Sequence, residues 1–352
     1  MTTRKLRVGV AGLGRMGKRH AINFHELTAR ADVVAASTPD ESERVWAAEN
    51  LKGVQIYADY DEMLEKTDLE AVVVASITAV HAEQTLKAIT KGLHVLCEKP
   101  LSIDVEVAQS VVSAYEESLK TYPQQKVVCG FSRRFDASYR EAYERITKDE
   151  FGSPVLFRSQ TADLYDTSGF FVEYAKTSGG IFVDCSIHDI DLMLWFLGED
   201  RKLKSLQAVG VAAVHPALEA SHDRDNAIAT VEFEGGKIAA LYCSRMMAAG
   251  QEDTTEIICS KGSVRVNMQV RKNHVEIHDS LGARRELPQH YYERFREAFI
   301  TEAYEFTACC LDNTSPPISL QSSVKAVGIG QALQRSLISG EKVFFDERAT
   351  KN

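Results

Sequence analysis

Gly12-Leu13-Gly14-Arg15-Met16-Gly17 follows the apolar run Leu6–Ala11 without a gap and opens a helical stretch. A strand, a GxGxxG turn and a helix in that order admit few folds. Gly12 suits the tight turn, Gly14 lets a pyrophosphate approach the backbone, and Gly17 lets the helix pack on the sheet. The helix N-terminus then offers N–H groups and a positive dipole end to phosphates. The alternation continues down the chain. Apolar runs at 32–37, 71–75, 93–97 and 126–129 are separated by helical stretches at 15–30, 40–50, 59–66, 81–91 and 104–119. Continuous apolar strands between amphipathic helices predict a parallel sheet covered on both faces. Right-handed crossovers make it doubly wound.

Beyond Gly130 the pattern changes. Helices are predicted at 138–148 and 184–197, the second ended by Gly198, and strands at 206–214, 227–233, 237–244, 254–259, 263–268 and 274–278. Gly235-Gly236 and Lys261-Gly262 read as hairpin turns. Helices at 292–311 and 320–338, separated by Pro316-Pro317, close the chain. The expected fold is α/β, with an N-terminal Rossmann-type NAD(P)-binding domain over residues 1–130. A C-terminal α+β domain over 131–352 carries a largely antiparallel open sheet and serves substrate binding and oligomerisation. The 352 residues suit two domains. The stretch 237–244 is apolar on both faces, with Ile238, Ala240 and Tyr242 on one and Ala239, Leu241 and Cys243 on the other; Ala227, Ala229, Val231 and Phe233 share a face of the strand before it. The chain's own helices can cover one face, so a second copy is expected on the other, as a homodimer or homotetramer.

Charge narrows the partners. With 41 Lys and Arg against 50 Asp and Glu, the net charge is −9, which supplies no basic surface for nucleic acid. No apolar run approaches the roughly 18–20 residues needed to span a bilayer, so no membrane is expected. Residues 1–7 are basic but lead only into a short strand, not a signal-peptide core. Seven cysteines, an odd number without a CxxC pair, read as free thiols in a reducing, cytoplasmic setting. No His/Cys cluster has zinc-ligand spacing, so no metal is expected.

The polar residues at the strand ends carry the chemistry. An acidic residue after the second strand would bind a ribose 2′-OH and repel a 2′-phosphate. Here Ser37 and Thr38 stand at that point, with Asp40 and Glu41 close by. Their hydroxyls suit ribose or phosphate, which leaves NAD or NADP open and leans the expectation to NADP. Ser76, Ile77, Thr78 and His81 follow the fourth strand, and Glu98-Lys99-Pro100 follows the fifth. Ligands of such sheets bind beyond the carboxyl ends of the strands, which puts Lys99 at the nicotinamide end. Asp184 and His188 are spaced i, i+4, apart from the core stripe of Ile187, Ile190, Leu194 and Leu197. A histidine paired with a carboxylate there suits acid–base work.

Together with Gly130-Phe131-Ser132-Arg133-Arg134-Phe135-Asp136 and Ser186-Ile187-His188-Asp189, these motifs resemble the Gfo/Idh/MocA oxidoreductase family over essentially the whole chain. Within it the chain looks most similar to the inositol 2-dehydrogenases. The resemblance implies that Lys99, Asp184 and His188 form the catalytic triad and that a cyclitol or sugar loses a hydride from a secondary alcohol to NAD(P). It also implies dimers or tetramers. Arg133, Asp163, Tyr165 and Gln251 are the candidate substrate contacts. Gln251 follows Gly250 where inositol dehydrogenases commonly carry a tyrosine, and 163–166 differs from their usual polar loop, so a polyol is implied without naming which. Two other functions compete. A dinucleotide-binding sensor need not keep the Lys/Asp/His set that this chain keeps. A dehydrogenase of a non-sugar alcohol such as a dihydrodiol would not need the polar Arg133, Arg134, Asp163 and Asp166.

Overall fold

The computed structural model describes residues 4–345; residues 1–3, where the basic N-terminus starts, and 346–352, where the second domain ends, lie outside the described residues. Six strands form the first sheet: β1 (Leu6–Ala11), β2 (Ala31–Ser37), β3 (Gln55–Tyr57), β4 (Ala71–Val74), β5 (His94–Glu98) and β6 (Val127–Gly130). All pair in parallel in the order β3-β2-β1-β4-β5-β6. The central strand β4 is buried at every position, as a strand covered on both faces must be. Helices α1 (Arg15–Ile22), α2 (Glu41–Asn50), α3 (Tyr60–Lys66), α4 (Thr78–Thr90) and α5 (Val105–Ser118) make the crossovers, and α6 (Ala137–Thr147) and α7 (Phe170–Ala175) follow them in the chain. Asp40, Asp59 and Asp104 cap α2, α3 and α5 by accepting the N–H three residues on. The first helix is shorter than the sequence predicts and runs on into a π-turn, Asn23–Leu27.

The strand order reverses between β1 and β4, and the chain is tightest there. Gly12 has φ +83°, and a Cβ on it would lie 2.4 Å from the Ser76 Cα; a Cβ on Gly17 would lie 1.9 Å from the Gly12 carbonyl oxygen. Only glycine fits either place.

Two compact units emerge, the first comprising Met1–Phe135 with Glu297–Lys325 and the second Asp136–Arg296 with Ala326–Asn352. The division differs from a single cut at residue 130 because most of helix α10 (Tyr291–Asp312) packs on the first sheet's helices. Phe306 meets Phe24 edge-on at 6.2 Å, Phe299 meets His20 at 5.8 Å, and Arg30 holds both oxygens of Asp312 at 2.6–2.7 Å.

This helix also buries Glu302 completely, with neither carboxyl oxygen hydrogen-bonded. Burial, and then the charge of Glu98, push its pKa well above the ordinary 4.5. The folded state therefore keeps a proton that the unfolded chain releases near 4.5. Across that window the native state binds more protons, so stability falls as pH rises from about 4.5 toward the folded pKa. Glu302→Gln is expected to match the wild type near pH 4.5, exceed it at pH 8 and flatten this slope. Urea midpoints across pH 4.5–8 check it, and an unchanged slope in the variant would refute it.

The second unit holds a seven-stranded sheet of β7 (Pro154–Leu164), β8 (Leu203–Val211), β9 (Asn226–Phe233), β10 (Lys237–Met247), β11 (Glu252–Cys259), β12 (Gly262–Val266) and β15 (Val343–Phe344), ordered β12-β11-β7-β10-β9-β8-β15. It is mixed and mostly antiparallel, with β7 and β10 parallel. The sequence hides β7, because its inward positions include Ser159 and Thr161 where an alternating strand would carry apolar residues. Both hydroxyls donate to the fully buried Asp189, at 2.6 and 2.7 Å. Asp189 sits on α9 (Ile187–Leu197), which lies across β7 and β10. Near 274–278 the chain forms only a small hairpin, β13 (Ile277–Asp279) with β14 (Gly282–Arg284). Ala239, Leu241 and Cys243 face inward, as do Ala227, Ala229, Val231 and Phe233, while Ile238, Ala240 and Tyr242 face outward.

Candidate active site

In the first unit the glycine loop closes directly on the sheet. Gly12 donates its N–H to the Ser37 carbonyl at 2.8 Å, Leu13 is buried, Arg15 is exposed and Met16 is half-buried. Gly14 is the N-cap of α1, and no side chain caps that helix. A helix N-terminus without a side-chain cap, reached through a glycine, suits a pyrophosphate. Apart from the loop and its own helix, the atom that a Cβ built on Gly14 would meet is a carboxylate oxygen of Glu43, 3.6 Å away. The loop fits a dinucleotide.

Ser37 and Thr38 are both buried. Thr38 Oγ1 donates to Glu43 Oε2 at 2.5 Å, and Ser37 Oγ has no partner. The end of β2 therefore holds more than the two hydroxyls that leaned the expectation to NADP. A carboxylate stands in it, supplied by the following helix.

Ile77 is exposed, Ser76 Oγ donates to Gln84 Oε1 at 2.7 Å, and Thr78 begins α4. His81 is buried between the Pro100 and Ser76 carbonyl oxygens, 2.9 and 3.1 Å away. Burial lowers its pKa, and a neutral ring donates to one of the two at a time. His81 so joins the loop after β4 to the one after β5, where the Lys99–Pro100 peptide is cis. Glu98 is buried; Oε1 meets His20 Nε2 at 2.7 Å and Oε2 accepts the Lys99 N–H at 3.1 Å. Burial opposes its ionisation, but the His20 bond and the charges of His20 and Lys99 prevail and lower its pKa. Lys99 is half-buried, held at its backbone by this carboxylate. Arg133 is buried in the short 3-10 turn Ser132–Phe135 of the same unit.

In the second unit, Asp184 ends a short helix, α8 (Ile181–Asp184), and His188 lies in the first turn of α9. The sequence predicts one helix here; the structure has two, joined at Cys185-Ser186. Asp184 and His188 are only partly buried in a stretch whose other members, 181–190, are buried. Asp184 Oδ1 accepts the Tyr174 hydroxyl at 3.2 Å, and Oδ2 accepts Arg245 Nη2 at 2.8 Å. Arg245 is fully buried, spans to Asp223 Oδ2 at 3.1 Å, and packs against the Phe171 ring 5.1 Å away. Asp223 Oδ1 in turn accepts the Ile181 N–H at 2.8 Å, which anchors the helix that carries Asp184.

Asp163 joins this cluster. Burial and then Asp253 raise its pKa, opposed by a Gln251 hydrogen bond and by Arg245. Gln251 is buried beside Asp253, with Nε2 3.3 Å from Asp253 Oδ1. Tyr165 instead stacks on His215, centroids 5.1 Å apart. Arg245, Asp223, Tyr174 and Glu43 escaped the sequence reading. For Arg245 there was a usable signal, a single arginine at the end of a strand apolar on both faces.

The oxidoreductase family with an NAD-binding Rossmann fold, Gfo/Idh/MocA, matches residues 6–124, and that family's C-terminal domain matches 139–265. The scyllo-inositol 2-dehydrogenase (NAD(+)) of Bacillus subtilis is 30% identical over 345 residues, 97% of each chain. The myo-inositol 2-dehydrogenase of Thermotoga maritima is 29% identical over 97% of this chain and 99% of its own. Among solved structures, scyllo-inositol dehydrogenase from Lactobacillus casei with bound NAD(H) and scyllo-inositol superposes with a TM-score of 0.90 at 31% identity, covering 97% of this chain and 99% of that one.

Proposed function

The chain belongs to the Gfo/Idh/MocA oxidoreductase family, and from that membership we propose that it is an NAD-dependent dehydrogenase oxidising a ring secondary alcohol of an inositol. The observation that carries this is the likeness, over nearly the whole of both chains, to an enzyme solved with NAD(H) and scyllo-inositol. When bound, the nicotinamide supplies the acceptor for the substrate hydride. His188 takes the hydroxyl proton, Lys99 hydrogen-bonds the same oxygen as negative charge develops, and Asp184, held by Arg245 and Tyr174, orients the neighbouring hydroxyl. Asp163 and Gln251 offer further polyol contacts. The first unit serves the dinucleotide; the second serves the substrate and assembly. Cofactor reduction should be followed over a panel of inositols and aldoses with NAD and NADP. Turnover of a cyclitol with NAD is expected, and failure on every cyclitol would overturn the proposal.

A homo-oligomer is part of the same proposal. On the outer sheet face Val209, Val211, Ile228 and Ile238 are 59, 58, 53 and 44% exposed. Apolar residues on adjacent strands make a patch that water-exposed antiparallel sheets avoid. A second copy of this face covers it as a dimer or tetramer. Ala240 faces outward and Leu241, 1% exposed, faces in. Ala240→Glu is therefore expected to shift the protein to a smaller species in sedimentation velocity, whereas Leu241→Glu damages the fold itself. A wild type that sediments as a monomer at micromolar concentration would refute the assembly. A cytoplasmic setting fits the seven free thiols, Cys97 and Cys129 staying unbonded although they pair across β5 and β6. Among the described residues no helix is long and apolar enough to cross a membrane.

A further inference from the structure

We infer that Glu43, from the first turn of α2, is the carboxylate that reads the adenosine ribose and sets a preference for NAD over NADP, an inference that rests on the dinucleotide-binding function proposed above. In doubly wound sheets this task falls to an acidic residue after the second strand. This chain carries Ser37 and Thr38 there, and neither is acidic. Glu43 reaches the same place from five residues beyond Thr38.

Its position is fixed at both ends. Asp40 Oδ1, the helix cap, accepts the Glu43 N–H at 3.1 Å, which fixes the backbone. The side chain turns back toward the strand end, where Oε2 accepts the Thr38 hydroxyl at 2.5 Å. The other oxygen, Oε1, lies beside the second glycine of the loop, 3.6 Å from a Cβ built on Gly14, the nearest atom to it from outside the loop and its helix. One oxygen is thus spent on holding the group still, and the other is presented to the loop. A carboxylate so placed accepts a hydrogen bond from a ribose hydroxyl and repels a 2′-phosphate. The neighbouring cation does not replace it as a phosphate reader, since Arg44 Nη1 donates to the Thr38 and Pro39 carbonyls at 2.9 and 2.6 Å. Thr38 becomes a positioning residue for Glu43.

The test is binding, read by nicotinamide fluorescence on titrating NADH and NADPH into the full chain. The wild type is expected to bind NADH at least about 10-fold more tightly than NADPH, and Glu43→Gln to shrink that ratio by about 10-fold. Thr38→Val, which frees the carboxylate without removing its charge, is expected to weaken NADH by a smaller factor and leave NADPH disfavoured. A wild type that prefers NADPH overturns the inference. So does a Glu43→Gln protein with an unchanged ratio, or one that loses both nucleotides equally; in those two cases the dehydrogenase proposal stands. A wild type that binds neither nucleotide overturns both.

Discussion

Lys99→Ala is expected to lower kcat by about 10²–10³, the scale for losing one donor to a developing oxyanion. The side chain is what the substitution removes. The backbone around it stays held, because Glu98 Oε2 takes the Lys99 N–H and His81 lies against the Pro100 carbonyl. Affinity for NADH should change little, since the glycine loop and the N-terminus of α1 are untouched. The combination separates a chemical role from a structural one: kcat falls while the NADH dissociation constant and the melting temperature hold. Near-wild-type kcat with the best cyclitol would remove Lys99 from the chemistry. A parallel loss of NADH binding would make it a cofactor contact instead.

What the sequence discloses here depends on whether a signal is local. The first sheet was legible because its strands are continuous apolar runs and its loops start where those runs stop, as at Ala11-Gly12 and Glu98-Lys99. The family resemblance was legible because its motifs are short. The second sheet was only partly so. β7 hides its periodicity by turning Ser159 and Thr161 inward onto Asp189, a partner some thirty residues away. Glu43 is one of several acidic residues on its helix, and nothing in the order of residues says that its side chain folds back onto Thr38. The return of α10 to the first unit depends on Phe299 and Phe306 finding His20 and Phe24, a pairing across nearly three hundred residues. Contacts of that range are set by packing, which a linear pattern does not encode.

Arg245 shows the same limit and carries the largest expected effect on stability. Its guanidinium is wholly buried between Asp184 and Asp223, residues 61 and 22 positions away. Paired on both sides, it keeps its charge: burial works against protonation, but the two carboxylates outweigh it and raise its pKa. Removing it leaves the buried Asp223 without its counter-ion, and breaking a buried pair in that way costs about 3–5 kcal/mol. Arg245→Met is therefore expected to lower the urea midpoint sharply. Asp223→Asn added to it should restore part of the loss, because the Ile181 N–H keeps an acceptor at Oδ1 while the stranded charge is gone. Arg245→Lys tests the geometry, since an ammonium cannot fork to both carboxylates as a guanidinium does. It should fold better than Arg245→Met yet turn over substrate more slowly than wild type, with Asp184 no longer fixed. If Arg245→Met unfolded like the wild type, or if the double variant were no more stable than Arg245→Met alone, the buried bridge would not be what holds Asp184 in place.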